Sequence, residues 1–359
     1  MQKRKKLIII LLLLILAILI HFYSSDSIRA ENNYSTKWYP TIAASLRFLT
    51  GWIPFSIGDV LYAIAALWLV WKIISIIIGL FKRQLTFLWL KKAAYKMVVC
   101  LLCIYIVFNI FWGINYHREG IAYQLGLNDS PYTISDLKTI DSLLLLKVNE
   151  SKEAVIKNHL FITNNKELFT ESVEAYNVVA NQYSFLKYKM PSIKRSMWGW
   201  LGNYLGYSGY YDPFTGEAQV NTTIPKFLQP YTTCHEMAHQ LGYAKEDEAN
   251  FVGYLAASAS TDTLFHYSVY LDLFLSCNRN LYMADSAAAI SDVKKVLPVV
   301  KTDLKEWRKF LIEHNSVVEP IVRWLYGKYL QSNQQPSGIL TYDKVTGLLI
   351  EYYKKTGKI

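Results

Sequence analysis

The residues best suited to chemistry form the pattern His-Glu-x-x-His, made by His235, Glu236 and His239. On a helix, residues four apart differ in direction by about 40°, so the two imidazoles project side by side and can bind one metal ion. Glu236 points about 100° away from His235, which leaves it free to act as a general base toward a water molecule at that metal. The pattern is typical of zinc hydrolases. We therefore expect one Zn²⁺ per chain and Glu236 as the catalytic residue.

The residues around this pattern favour a short helix with a sharp end. Pro230 and Thr232 or Thr233 suit its start, and Gly242 suits the position just past its last turn. Met237 and Ala238, which lie between the two histidines, are apolar and can pack inward. These signals favour a built metal site over an exposed helix that carries two unrelated histidines.

The third metal ligand has two candidates, Glu246 and Glu248, which point in nearly opposite directions on one helix. The run 246–250 resembles the Glu-x-x-(Ala/Ser)-(Asp/Asn) pattern of glutamate-type zinc peptidases when Glu246 is the ligand. In that register Asn250 can hydrogen-bond a ligand histidine from behind. We favour Glu246 and keep Glu248 as the alternative. Only six residues separate His239 from Glu246, so Gly242 has to turn the chain sharply.

A zinc hydrolase also needs a donor for the oxyanion and a surface that holds the substrate. The oxyanion candidates are tyrosines near the pattern in sequence: Tyr207, Tyr210, Tyr211 and Tyr243. The alternating stretch around Ala218–Val220 predicts a short strand upstream of the metal helix. It resembles the edge strand on which zinc peptidases extend their substrates.

Three apolar stretches near the N-terminus are long enough to cross the hydrocarbon layer of about 30 Å. They cover about 7–22, 57–81 and 97–114. The first follows a basic cluster but lacks a small-x-small cleavage site, so we expect an uncleaved anchor rather than a signal peptide. The lipid bilayer is therefore an expected partner.

The distribution of basic residues predicts the orientation in the membrane. Residues 3–6 and 82–96 together carry nine basic residues and no acidic one, so both segments should be cytoplasmic. The chain after residue 114 then lies on the extracytoplasmic side, in the periplasm if the membrane is the inner membrane of a bacterium. The net charge is +10, which leaves a net charge of +1 for the other residues. The basic balance thus reports topology and excludes nucleic acid as a partner.

Two domains follow from this division. Residues 1–115 form a membrane domain with three spans, and residues 116–359 are long enough for one large domain. We predict a mainly α chain whose second domain is a mostly helical, zincin-like α+β domain of the gluzincin type. A small sheet should lie next to the metal helix.

The chain resembles an uncharacterised family of bacterial membrane proteins, a domain of unknown function. The resemblance rests on residues 112–116, 211–221, 234–250 and 329–343. It implies N-terminal spans followed by a zinc-peptidase-like domain outside the membrane. It does not imply a substrate.

The function that the residues favour is a membrane-anchored zinc metallopeptidase acting on envelope or periplasmic proteins. A zinc amidase that acts on cell-wall peptide is an alternative, because the aromatic-rich stretch 198–214 can line a glycan-facing groove. A non-catalytic scaffold or sensor with structural zinc is the third hypothesis. Structural zinc sites usually have four protein ligands, and Glu236 has no task in one.

Overall fold

The computed structural model describes residues 2–128, 131–336, 338 and 344–359. The chain is mainly α with one small three-stranded sheet, as the sequence predicts. Tyr342 and Asp343, which end the last block of the family resemblance, lie outside the described residues.

The helices occupy most of the chain. They are α1 (Gln2–Ser24), α2 (Ser27–Arg29), α3 (Tyr39–Thr50), α4 (Ile57–Phe81), α5 (Phe87–Phe111), α6 (Ile121–Leu125), α7 (Ile134–Lys157), α8 (Asn165–Gln182), α9 (Gly199–Leu205), α10 (Gln229–Gln240), α11 (Glu246–Ala259), α12 (Thr263–Ala284), α13 (Ser286–Lys295), α14 (Pro298–Glu313), α15 (Glu319–Ser332) and α16 (Val345–Thr356). A π-helical segment covers Ala30–Trp38, and 3₁₀ turns cover Gly113–His117, Ser184–Leu186 and Lys226–Leu228. The strands are β1 (Ile193–Arg195), β2 (Gly209–Asp212) and β3 (Glu217–Val220).

Three helices are long and apolar enough to cross a membrane: Arg4–Ser24, Ile57–Phe81 and Phe87–Phe111. The second has the predicted bounds. The third starts ten residues before the predicted residue 97, because the side chain of Thr86 caps it by accepting from the Trp89 amide at 3.2 Å. The lysine-rich stretch that precedes the apolar run therefore belongs to the same helix.

The segment between the first two spans packs against the domain that carries the histidines. Tyr39 is fully buried, and its hydroxyl donates to the Gln240 carbonyl at 3.3 Å. Arg47 donates to the same carbonyl at 2.8 Å. The predicted division at residue 115 thus separates residues 26–56 from the domain on which they pack.

The strand order of the sheet is β1-β3-β2, with β1 parallel and β2 antiparallel to the central strand β3. Glu217 at the start of β3 is fully buried and accepts from the amides of Ile57 at 3.1 Å and Gly58 at 2.7 Å. Amides in the first turn of a helix have no carbonyl partner within the helix, and the helix dipole favours a carboxylate at this end of α4. The sheet is therefore joined directly to the second span.

The main hydrophobic core lies among α7, α8, α10, α11 and α12. Helix α7 begins with a capping box of Thr133 and Asp136, and buries an apolar stripe at helical spacing. Helices α10 and α11 are buried almost all round. Such helices are rigid, which suits a pair of elements that has to hold a precise site.

Candidate metal centre

Helices α10 and α11 bring three side chains together. Oε2 of Glu246 lies 3.3 Å from Nε2 of His235 and 3.7 Å from Nε2 of His239. One ligand atom from each residue falls within 4.8 Å of the other two. The two distances from Glu246 are close to the spacing of about 3.3 Å between ligand atoms that lie about 2.0–2.1 Å from a tetrahedral zinc ion.

The turn after α10 places Glu246 opposite the histidines. Gly242 has φ +92°, its amide donates to the His239 carbonyl at 2.9 Å, and the Tyr243 amide donates to the Ala238 carbonyl at 3.3 Å. These two bonds form a Schellman motif, which favours glycine in the left-handed position. The predicted sharp turn at Gly242 is confirmed, and it lets α11 begin at Glu246 and run back along α10.

The backbones of α10 and α11 also approach each other closely at His235. A Cβ added to Gly253 of α11 would lie 3.1 Å from both Cα and N of His235. Glycine therefore lets the two backbones meet at this point. The close crossing brings the first turn of α11 within reach of both imidazoles.

Charge on the cluster also suits a cation. Burial raises the pKa of Glu246, but its contacts with His235 and His239 outweigh burial and hold the pKa well below its usual range. Burial lowers the pKa of His235, but the Glu246 carboxylate, with the charges of Glu236 and Asp272, more than compensates and raises the pKa to about 9. Oε2 of Glu246 is buried and has no hydrogen-bond partner among the described residues. A buried carboxylate oxygen that faces two imidazoles fits a metal ligand.

The outer nitrogens of the two imidazoles differ in their surroundings. Nδ1 of His239 lies 2.7 Å from the Tyr243 carbonyl, whereas Nδ1 of His235 has no hydrogen-bond partner in the described part of the chain. The predicted hydrogen bond from Asn250 to a ligand histidine is therefore not formed. The backbone carbonyl of Tyr243, which the Schellman turn presents to α10, takes that place at His239.

Glu248, the alternative third ligand, lies apart from the histidines. Its Oε1 accepts from Nζ of Lys245 at 3.1 Å, and its carboxylate packs against Gly120. The structure brings Glu246, and not Glu248, to the pair of histidines.

Glu236 lies beside the cluster, as the sequence predicts. It is 4% exposed, and its Oε2 has no hydrogen-bond partner among the described residues. Burial raises the pKa of Glu236 to about 7, although His235 and His239 act to lower it. A carboxyl group with a pKa near neutrality can both accept and return a proton.

Tyr326 of α15 is a site residue that the sequence did not indicate. Its hydroxyl donates to Oε1 of Glu246, the carboxylate oxygen that does not face the histidines. Eighty residues separate the two along the chain. No local pattern signals a contact of this range.

A cavity of about 1570 Å³ opens from the cluster. Three of the four predicted oxyanion candidates line it, namely Tyr207, Tyr210 and Tyr211. Tyr243 instead donates its hydroxyl to Gln124 at 2.6 Å. The cavity also contains arginine and acidic side chains, which are Asp59, Asp272, Arg279, Glu319 and Arg323.

The strand beside Glu236 is β2, not the predicted stretch Ala218–Val220. That stretch belongs to β3, which is the central strand and pairs on both sides. β2 is one of the two edge strands, and a Cβ added to its Gly209 would lie 2.6 Å from Oε1 of Glu236. The edge-strand prediction was wrong because strand order depends on pairing partners that a single stretch does not reveal.

The fold and the site define a chain with three membrane-spanning candidates and a buried His-His-Glu cluster beside a large cavity. It belongs to the family described as "Protein of unknown function (DUF3810)", whose model matches residues 34–350. The family resemblance in the sequence is thereby confirmed. Neither a curated protein nor a solved structure matches the chain.

Proposed function

We propose that this protein is a membrane-anchored zinc metallopeptidase that hydrolyses peptide bonds of envelope proteins. The observation that carries the proposal is the buried cluster of His235, His239 and Glu246 with Glu236 beside it, at the wall of a large cavity. Three ligands facing a cavity are typical of catalytic zinc sites, whereas structural sites usually have four protein ligands.

The distribution of basic residues along the chain supports an extracytoplasmic position for the site. Residues 3–6 at the start of α1 and residues 82–96, which run from the end of α4 into α5, are rich in lysine and arginine and contain no acidic residue. In this orientation the domain with the histidines faces the periplasm, and the protein belongs to the inner membrane of a bacterium. Envelope proteins are then the polypeptides that can reach the site.

Zinc, when bound, polarises the substrate carbonyl and lowers the pKa of a water molecule toward neutrality. Glu236 supplies the proton transfers: its buried Oε2 accepts the proton of the attacking water and delivers it to the leaving amine. The pKa near 7 of this carboxyl group suits both steps. Tyr243 holds His239 through its carbonyl, and Tyr326 holds Glu246 through its hydroxyl.

The edge of β2 gives the substrate a place to bind. An extended peptide can add to a free strand edge by main-chain hydrogen bonds, which tolerate different side chains. Since Gly209 of β2 lies directly against Glu236, a peptide paired there passes the general base. The aromatic side chains of Trp198 and Tyr207 also line this cavity, which favours a cell-wall amidase as the second candidate.

The test is a cleavage assay on the full-length chain in lipid nanodiscs after loading with zinc. Peptides from an envelope proteome serve as substrates, and mass spectrometry reads new termini and cell-wall fragments. The wild type should cut peptides, and Glu236→Gln should retain zinc and lose at least about a hundredfold in rate. Glu248→Gln is the matched control, because it alters a nearby buried carboxyl outside the cluster. Equal rates for Glu236→Gln and wild type, or no cleavage by either, would contradict the proposal.

A further inference from the structure

The cavity that contains the candidate metal centre continues onto the second span. Its lining includes Tyr62, Ala63, Ala66 and Leu67, all on α4. A cavity that served only water-soluble peptides would not need a wall from a membrane helix. The position of these residues along the span therefore decides how a substrate reaches the site.

The length of α4 places its cavity-lining residues inside the bilayer. Helix α4 has 25 residues, about 37 Å at 1.5 Å per residue, and exceeds the hydrocarbon layer of about 30 Å. The apolar run ends at Phe81, just before Lys82 and Arg83. Counting back the roughly 20 residues that span the hydrocarbon reaches Tyr62. Ala63, Ala66 and Leu67 thus lie within the hydrocarbon layer, on its side nearest the metal centre.

Hydrogen bonds fix the span against the site. Oδ2 of Asp59, in the first turn of α4, accepts from the Met197 amide at 2.6 Å. Tyr210 of the edge strand β2 donates its hydroxyl to Oδ1 of the same carboxylate. With the bonds from Glu217 to the N-terminus of α4, these contacts join the edge strand, the cavity and the span into one unit.

The helices α9 and α15, which supply part of the cavity lining, also carry a rim of exposed apolar side chains next to the lining residues. Trp198 donates its indole N–H to the Asp59 carbonyl at 3.4 Å, so the start of α9 lies beside the first turn of the second span, α4. On α9 and α15 the exposed side chains include Trp200, Ile321 and Trp324, which are 58–61% exposed. Tryptophan is enriched where protein meets the surface of the hydrocarbon layer. This rim fits contact with lipid.

We propose that the substrate is a membrane-anchored polypeptide that enters the cavity sideways from the bilayer. Its membrane segment would lie along Ala63, Ala66 and Leu67, and its adjoining extended residues would pair with β2 beside Glu236. The outer edge of β2, which pairs with no second strand among the described residues, favours a polypeptide over a lipid, because only a polypeptide backbone can pair with it. This inference rests on the proposed peptidase function and adds the class of substrate.

The experiment compares two reporters with the zinc-loaded full-length chain in phospholipid vesicles. Both reporters carry the same short randomised segment, and one continues into a single apolar helix that anchors it in the vesicle. Mass spectrometry measures new termini. The anchored reporter should be cut at least about tenfold faster, with cuts just outside its helix.

A pair of variants separates entry through the cavity from simple concentration at the membrane. Ala66→Trp fills the membrane side of the cavity, whereas Ala65→Trp adds the same side chain next to it, outside the cavity lining. Ala66→Trp should lower the ratio of anchored-reporter to soluble-reporter cleavage by about tenfold or more, because it fills the side of the cavity that only the anchored substrate uses. Ala65→Trp should change neither rate. Zinc content and unfolding temperature show that both variants fold.

The outcomes distinguish this inference from the function on which it rests. Equal cleavage of both reporters, with no effect of Ala66→Trp, would overturn the inference and leave the peptidase function standing. No cleavage of either reporter would contradict the peptidase function itself. Release of fatty acid from the vesicle lipids by the wild type, absent in Glu236→Gln, would overturn the polypeptide and identify a lipid as the substrate.

Discussion

Nδ1 of His239 lies 2.7 Å from the carbonyl oxygen of Tyr243, four residues further along the chain. A carbonyl can only accept, so Nδ1 carries the proton, and Nε2 is the nitrogen that faces Glu246 and can bind a metal ion. The Schellman turn at Gly242 aims this carbonyl back at α10. The end of the helix therefore orients the ligand, in the place where the sequence predicted Asn250.

Substitution of Gly242 tests this arrangement. In Gly242→Ala the new Cβ would lie 2.9 Å from the ring of Tyr39 and 3.1 Å from Oδ1 of Asn115, at a positive φ. The turn has to shift, and we expect the zinc affinity to fall by about tenfold or more in a chelator competition titration. Gly357→Ala is the control, since Gly357 also has a positive φ and no atom lies within 4 Å of the added Cβ. Unchanged zinc affinity in Gly242→Ala would contradict the role of the turn.

The second prediction concerns a buried ion pair behind the same turn. Arg118 donates to Glu31 at 2.7 and 2.8 Å, and both side chains are 2% exposed. Arg118 also donates to the Gly242 carbonyl at 3.1 Å. Burial raises the pKa of Glu31, but Arg118, together with hydrogen bonds from the Gly120 amide and Gln124, outweighs burial and keeps the pKa below its usual value. The pair thus holds the segment between the first two spans against the turn.

Glu31→Gln leaves the Arg118 charge buried without its counter-ion, which should lower the free energy of unfolding by about 3–5 kcal/mol. Denaturant unfolding of the full-length chain in detergent measures the loss. Asp26→Asn breaks the exposed pair with Arg29, whose side chains are 44–45% exposed, and should cost at most about 1 kcal/mol. Similar losses of unfolding free energy in both variants would show that the buried pair contributes no more stability than the exposed pair.

The third prediction concerns Tyr326, which donates its hydroxyl to Oε1 of Glu246. Tyr326→Phe removes the donor and keeps the ring, so Glu246 loses the partner that orients it. Zinc affinity should fall by about tenfold, because outer partners of metal ligands usually contribute that much. Tyr329→Phe is the matched control, since its hydroxyl pairs with that of Tyr116 at 3.0 Å instead. An affinity loss in Tyr329→Phe alone would contradict the assignment.

The fourth prediction concerns pH and lies away from the metal centre. Asp141 is buried, and burial together with neighbouring Asp292 raises its pKa to about 7. An acid whose pKa is raised by folding contributes stability that is fully present below its unfolded pKa of about 4, and is lost as the pH rises from there through the folded value. Asp141→Asn, which still accepts from Asn278, should thus match the free energy of unfolding of the wild type at about pH 4. At about pH 8 it should be more stable by about 2–4 kcal/mol. A difference that does not change with pH would refute the assigned titration.

The elements that sequence reasoning found have signals that act over a few residues. Gly242 marks the end of α10, and the spacing of His235 and His239 fixes a shared helix face. Composition alone identifies three spans, although the start of α5 moved because a cap at Thr86 extends the helix. Local chemistry therefore predicted both the metal pattern and the membrane architecture.

What the sequence missed depends on partners far along the chain. Tyr326 reaches Glu246 across 80 residues, and Glu31 reaches Arg118 across 87. The position of β2 at the sheet edge is set by the pairing of β3 on both sides. Long-range contacts of this kind leave no periodicity in one stretch of sequence, so only the fold reveals them.

The zinc content of the purified full-length chain and of two variants tests the proposed metal centre most directly. Wild type and Glu248→Gln should each hold close to one zinc ion per chain, and Glu246→Gln should lose it, because Glu246, and not Glu248, faces both histidines. Inductively coupled plasma mass spectrometry gives the metal-to-protein ratio. Loss of zinc in Glu248→Gln but not in Glu246→Gln, or no zinc in the wild type after reconstitution, would contradict the proposed metal centre.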